Sequence, residues 1–129
     1  MIEITPEHFG LLLECAREHP MRINDCEELF YIRDAMRAQC PKEGTDIERW
    51  MTVYLPGEQG NHLETHAHDE HTVLFYPADS DMPLIVERDA SVERIYPKAG
   101  MVQYLPPGTR HRVGRVHSPR LSVAMLVKV

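Results

Sequence analysis

Eight short apolar or alternating runs in the second two thirds of the chain constrain its fold more than any other feature. Turn-rich breaks such as PGEQGN, PADSD and PPGT separate them. Alternation with a period of two is typical of strands, and many short strands at close spacing are typical of an all-β sandwich or barrel. The predicted strands cover residues 49–55, 63–68, 72–76, 83–88, 93–96, 101–105, 111–116 and 121–127.

The first forty residues show a helical period instead. Thr5 stands before a proline, a typical helix start, because a threonine hydroxyl caps the first turn and proline suits the first helical position. Asn24 and Glu27 have the spacing of a capping box at the start of a second helix. The sequence therefore predicts a helical segment over residues 1–48 that packs on a β-barrel of residues 49–129, together one structural domain.

Composition and charge exclude several classes of protein. The formal net charge of −6 argues against a nucleic-acid partner. No apolar run is long enough to span a bilayer, and the N-terminus lacks the pattern of a secretory signal, so we expect no membrane partner and a cytoplasmic location. The three cysteines, Cys15, Cys26 and Cys40, are odd in number and widely spaced, and so predict no disulfide framework.

Histidines supply the strongest functional signal, since four of the eight lie within residues 62–71. His66 and His68 are two apart on a predicted strand, so both imidazoles point to one face. His111 follows a Pro-Pro-Gly-Thr turn that would aim its side chain inward as a third ligand. Three neutral imidazoles leave coordination positions open, which a catalytic metal site needs. We interpret His62 and His71 as rim residues.

Two motifs around these histidines resemble those that define the cupin superfamily. Residues 60–68 have the form G-x5-H-x-H, and residues 100–111 have the form G-x5-P-x-G-x2-H. The resemblance implies a mainly β fold, the double-stranded β-helix or jelly-roll barrel, here with two N-terminal helices. It also implies a metal ion held by His66, His68 and His111, and is compatible with a homodimer.

The glutamate of the first cupin motif is missing, because Thr72 and Val73 stand where it should fall. Glu70 or His71 is the nearest substitute, and we take Glu70 as the candidate fourth ligand. Without that glutamate the chain resembles the three-histidine cupins, which include Fe(II)-dependent thiol dioxygenases. The resemblance therefore implies a dioxygenase-type oxidoreductase. Histidine nitrogen also suits Zn, Ni or Mn, so the ligands leave the metal open.

A second resemblance is to the Fe(II)/2-oxoglutarate oxygenases, which share this barrel. Their R-x-S pair, which binds the cosubstrate carboxylate, follows a ligand histidine at the spacing that separates Arg120 and Ser122 from His111. His68 and Glu70 match their H-x-E ligand pair, and His62 and Glu64 form a second match. This resemblance implies 2-oxoglutarate as a cosubstrate and a binding role for Arg120 at the catalytic site.

Residues 94–129 contain seven Lys or Arg and no acid, which brings Arg110, Arg112, Arg115 and Arg120 close to His111 in sequence. Guanidinium groups bind carboxylates well, so one interpretation is a basic mouth for a small anionic substrate. The other is a solvated strand face paired with acids of the N-terminal helices. A non-catalytic cupin that binds or senses a small ligand is the alternative to an enzyme.

Overall fold

The computed structural model describes residues 1–18, 25–41, 46–54, 67–113 and 117–128. Two short helices precede seven strands, which confirms a mainly β chain with two N-terminal helices. In chain order the elements are helix α1 (Pro6–Glu18), a 3-10 turn (Glu27–Leu29), helix α2 (Phe30–Ala38) and strands β1 (Asp46–Tyr54), β2 (His71–Tyr76), β3 (Leu84–Glu87), β4 (Val92–Ile95), β5 (Met101–Leu105), β6 (His111–Arg112) and β7 (Arg120–Val127).

The strands form two antiparallel sheets. The larger sheet has the order β1-β7-β2-β5, and the smaller sheet has the order β4-β3-β6. Chain neighbours such as β5 and β6 lie in different sheets, as in double-sheet jelly rolls. Most of the predicted strand 63–68 lies outside the described residues, and its described end, Ala67 and His68, is not in a strand. Of the strand predicted over 111–116, His111–Arg112 forms a strand and Val113 does not, and residues 114–116 lie outside the described residues.

Two apolar cores define three layers. One core lies between the helices and the larger sheet, where Leu12 and Ile32 pack with Val73 and Phe75. The other lies between the two sheets and contains Leu74. Strand β2 is covered on both faces, and all six of its residues are buried. A strand buried on both faces reads as a continuous apolar run, which is why VLFY shows no alternation.

The start of α1 is as predicted. The His8 backbone N–H donates to Thr5 Oγ1 at 3.1 Å, so Thr5 caps the first turn. The predicted cap at Asn24 lies outside the described residues. Cys15, Cys26 and Cys40 are free thiols, as expected, and burial together with the Glu28 carboxylate raises the pKa of Cys26 to about 11. No helix in the described part of the chain has the length and apolar character to cross a bilayer.

Gly100 anchors the N-terminus to the larger sheet. The Ile2 N–H donates to the Gly100 carbonyl at 2.7 Å, and the Gly100 N–H donates to the Tyr76 carbonyl at 2.8 Å. Its φ of +88° is in the left-handed region, and a Cβ atom there would lie 2.7 Å from the Ile2 carbonyl oxygen. Only glycine meets both conditions without strain.

We expect Gly100→Ala to lower the free energy of unfolding by about 2 to 4 kcal/mol, because it adds backbone strain and a clash with Ile2. Gly10→Ala is the matched control, since a Cβ at Gly10 meets nothing within 4 Å. Alanine there should stabilise α1 by up to about 1 kcal/mol. Urea unfolding monitored by circular dichroism measures both changes. Equal stabilities of the two variants would contradict this account of Gly100.

Candidate functional site

The turn at Pro106–Thr109 brings the chain back toward the space between the sheets. Thr109 N–H and Thr109 Oγ1 both donate to the Pro106 carbonyl, at 3.2 and 2.7 Å. Gly108 has a φ of +80°. Proline followed by a residue with positive φ is the pattern of a type II turn, which requires glycine at that place. The turn therefore depends on Pro107 and Gly108. One residue, Arg110, separates its end from the start of β6.

The same turn holds His68 beside His111. The Gly108 N–H donates to the His68 carbonyl at 2.8 Å, which joins the two histidine segments through the backbone. The rings of His68 and His111 have centroids 5.5 Å apart and are tilted by 38°. The structure thus brings together two of the three predicted metal ligands, from segments more than forty residues apart in the sequence.

The ring of His111 has a defined tautomer. Its Nδ1 lies 2.9 Å from the Thr109 carbonyl oxygen. A carbonyl can only accept, so Nδ1 carries a proton, and in the neutral imidazole the lone pair is then on Nε2. A metal-binding histidine usually donates its other ring nitrogen in this way, and the bond orients the ring.

His111 faces the space between the two sheets. It pairs in register with Val86, whose side chain is wholly buried in the core between the sheets. His111 itself is 6% exposed. Its neighbour Arg112 is exposed on the outer face, as the alternation of a strand requires.

Arg120 lies in the same interior space. It is 2% exposed, its Nε donates to the Met82 carbonyl at 3.1 Å, and its guanidinium carbon is 5.4 Å from the centre of the Tyr76 ring. Its Nη2 is buried without a hydrogen-bond partner among the described residues. Burial raises the pKa of Tyr76, and the charge of Arg120 opposes that rise. Ser122, two residues on and also buried, faces the same way.

Arg120 and His111 lie at different depths of this interior. Met82, the partner of Arg120, precedes Val86, the partner of His111, by four residues. Met82 lies in a bend before the start of β3, and Val86 lies near the end of that strand. Leu84 packs in the apolar core between the two levels. Arg120 and His111 therefore lie toward different ends of β3.

His71 points to the opposite face of the larger sheet. Its Nδ1 is 2.7 Å from the Tyr104 hydroxyl, and the two rings stack at 5.8 Å. On β2 it shares a face with Val73, which packs against the helices. Burial, with a smaller contribution from Cys40, raises the pKa of Tyr104. His71 is therefore a buried residue of the helix-covered face, which corrects its prediction as a rim residue or substitute ligand beside His111.

Of the other two predicted ligands, Glu70 lies within the described residues and His66 does not. Glu70 is half-buried in a bend between His68 and β2, close in sequence to the histidine pair. His66 lies outside the described residues, as do His62 and Arg115. No group of three metal-binding side chains occurs within the ranges that the structure describes. The three-histidine site and the role of Glu70 thus stay predictions.

The predicted basic mouth is partly neutralised. Arg110 Nε donates to Glu87 at 2.8 Å, and this pair lines an open groove of about 460 Å³ beside the turn. The acid comes from β3 and not from the N-terminal helices, because sheet register places Glu87 opposite the residues before β6. Arg110 therefore fits the interpretation of a solvated strand face. Arg120, by contrast, is a buried cation.

Solved structures of other proteins are similar to this fold. No protein-family model matches the sequence, and no curated protein matches it. A solved oxidoreductase of the 2OG-Fe(II) oxygenase family from Burkholderia pseudomallei is 14% identical, with a TM-score of 0.58 over 99% of this chain. A cupin domain from Bordetella pertussis Tohama I is 16% identical, with a TM-score of 0.50, and 69% of this chain aligns with 88% of that domain.

At these identities the likeness shows the fold alone, and the fold of this chain is cupin-type. The chain spans 60% of the length of the oxygenase. The resemblance seen in the two sequence motifs is thus confirmed at the level of fold.

We expect Tyr104→Phe to lower the free energy of unfolding by about 1 to 3 kcal/mol, because it leaves a buried His71 nitrogen without its partner. Tyr96→Phe is the matched control, since Tyr96 is 46% exposed. It should change stability by less than about 0.5 kcal/mol. Urea unfolding measures both. Equal, small effects would mean that the bond between His71 and Tyr104 contributes nothing.

Proposed function

We propose that this chain binds one divalent metal ion through His66, His68 and His111 and is an Fe(II)-dependent dioxygenase-type oxidoreductase for a small anionic molecule. The observation that carries the proposal is the adjacency of the His68 and His111 rings, 5.5 Å apart. With metal–nitrogen bonds of about 2.1 Å, two imidazoles on one ion have ring centres roughly 5 Å apart. The histidine pair therefore fits a shared ion, and closure of the two sheets into a double-stranded β-helix is part of the proposal.

An ion held by neutral imidazoles would supply open positions at which O2 and substrate bind side by side. The chain's own residues prepare that site. The Thr109 carbonyl keeps the His111 lone pair on Nε2, and the bond from Gly108 keeps His68 beside it. We propose Glu70, two residues after His68, as a fourth ligand. Fe(II) is proposed over Zn because Zn²⁺ has no redox chemistry, and over Ni or Mn because of the resemblance to the Fe(II)-dependent three-histidine cupins.

Apolar side chains around the site would exclude bulk water from it. Val86 and Leu105 are buried beside the histidine level of the interior. A dry site strengthens every electrostatic interaction inside it. Arg120, at the deeper level, would attract and orient the anionic end of a molecule that enters from the histidine side.

A second candidate function, that of an Fe(II)/2-oxoglutarate oxygenase, is favoured by one observation. The Arg120 guanidinium is buried in the interior and has a nitrogen without a partner among the described residues. A buried cation is costly unless an anion or a polar group accepts its hydrogen bonds. A dicarboxylate such as 2-oxoglutarate has a carboxylate for Arg120 at one end. At its other end it has oxygen atoms that could bind a metal ion held by the histidines.

The metal proposal is tested by mass spectrometry of protein purified without an affinity tag. We expect about one ion per chain. His68→Ala and His111→Ala should each weaken metal binding by at least about tenfold while the circular dichroism spectrum stays the same. His117→Ala is the matched control, because His117 is exposed and its Nδ1 lies 4.0 Å from the Asp81 carboxylate.

Protein that takes up no ion after anaerobic incubation with Fe(II) would refute the metal site. Metal binding with O2 uptake no faster than that of free Fe(II), over a panel of small carboxylates, would favour the non-catalytic binding role. These two outcomes are distinguishable, because metal content is measured separately from turnover.

Calorimetry with the anaerobic Fe(II) form tests the second candidate. We expect 2-oxoglutarate to bind, and Arg120→Lys to weaken that binding by roughly 100-fold, because lysine lacks the two-pronged guanidinium. Arg112→Lys is the matched control, since Arg112 is exposed on the outer face, and should change affinity less than about twofold. Wild-type protein that binds iron but not 2-oxoglutarate would exclude this candidate and leave the metal site standing.

A further inference from the structure

The outer face of the smaller sheet carries a row of three side chains. Ile85 in the central strand pairs directly with Arg94 on one side and with Arg112 on the other. Val86 points into the core, so Ile85 and its two partners point outward. Arg94 and Arg112 are both exposed. With strands about 4.8 Å apart, the two arginines are about 10 Å apart across the isoleucine.

Exposed apolar side chains flank this row. Val92, two residues before Arg94 on β4, is 47% exposed, and Tyr96, which directly follows the end of β4, is 46% exposed. They make up half of the large apolar side chains that are exposed in the described part of the chain. Tyrosine and arginine around an apolar centre are the composition of interaction surfaces and their hot spots.

The nearby acids are already engaged. Glu87 accepts from Arg110 at 2.8 Å, and Glu93 accepts from Arg88 at 3.0 Å. In these ion pairs Glu87 and Glu93 bind other arginines, and not Arg94 or Arg112. An acidic surface with two carboxylates about 10 Å apart would complement it.

Helix α1 presents such a surface. Glu7, Gly10 and Glu14 are exposed on one side of the helix, and the carboxylates lie seven residues apart, about 10.5 Å along the axis. A Cβ at Gly10 would meet nothing within 4 Å, so the fold of the chain itself does not require glycine there. Glycine is a poor helix former, but it lets another surface approach the helix closely.

The wider helical layer is acidic as well. Eight acids among the first 34 residues are exposed: Glu3, Glu7, Glu14, Glu18, Asp25, Glu27, Glu28 and Asp34. The helices cover the larger sheet, whereas the arginine row lies on the outer face of the smaller sheet. The acidic helical layer and the arginine row thus lie on opposite sides of the molecule.

We propose that the arginine row, Arg94–Ile85–Arg112, docks the Glu7–Gly10–Glu14 face of a second copy of this chain. The two arginines pair with the two glutamates, and Ile85 lies over the gap at Gly10. The surfaces are on opposite sides of the molecule, so the contact is heterologous and leads to rings or chains rather than to a closed pair. It is independent of the proposed metal site at β6, since Arg112 and His111 lie on opposite faces of the smaller sheet.

Sedimentation velocity of the full chain at low salt and at about 0.5 M salt tests the contact, because salt screens exposed charge pairs. We expect association that grows with protein concentration at low salt and is lost at high salt. Arg94→Glu with Arg112→Glu, and separately Glu7→Lys with Glu14→Lys, should each weaken association at least about tenfold. An equimolar mixture of the two double variants should restore it, because each then meets a complementary surface.

Lys98→Glu with Lys128→Glu is the matched control, since it changes the net charge as much as the arginine variant does without touching the row. It should associate as the wild type does, to within about twofold. Gly10→Gln should weaken association while α1 stays folded by circular dichroism. A monomer at every concentration and salt, a mixture that fails to associate, or a control as impaired as the arginine variant would overturn the proposal.

Discussion

The hydrogen bond from Gly108 to the carbonyl of His68 is the constraint on which the candidate site depends. It is made by a turn residue that must be glycine, because its φ is +80°. Through it, a backbone contact rather than a side-chain contact sets the spacing of two histidines from distant segments. The bond from His111 to Thr109 then orients one ring. The orientation of this ring is therefore set by the protein's own backbone.

Much of this arrangement could be predicted from local chemistry. Thr5 caps α1 because its hydroxyl accepts the His8 N–H, and the Pro-x-Gly turn is followed by an inward-facing His111, as its sequence indicates. Residues 101–105 form a strand with the predicted bounds. These features depend on neighbours within a few positions, which the sequence displays directly. The pairing of the strands into two sheets depends on contacts between distant segments, and a single sequence does not display such contacts.

The prediction for His71 failed for a physical reason. Strand β2 is buried on both faces, so its apolar residues do not alternate, and nothing in HTVLFY tells which face His71 takes. The Tyr104 hydroxyl, which shares a hydrogen bond with His71, lies on another strand, β5. For Arg120 the R-x-S spacing indicated a role but not its depth, which follows from the position of Met82. The partner of Arg110 is likewise a matter of register, which places Glu87 nearer than any helical acid.

Strand alternation also explains how one short strand serves two purposes. In β6, His111 points into the space between the sheets and Arg112 points to the opposite surface. A shift of register by one residue would exchange them and would place a charge in the core. The inward position of His111 and the outward position of Arg112 therefore share a single requirement, the pairing of β6 with β3. Because Val86 and Ile85 meet that requirement on opposite faces, a change confined to one face leaves the other intact. Substitutions at Arg112 and at His111 should thus act separately, although the residues are adjacent in the chain.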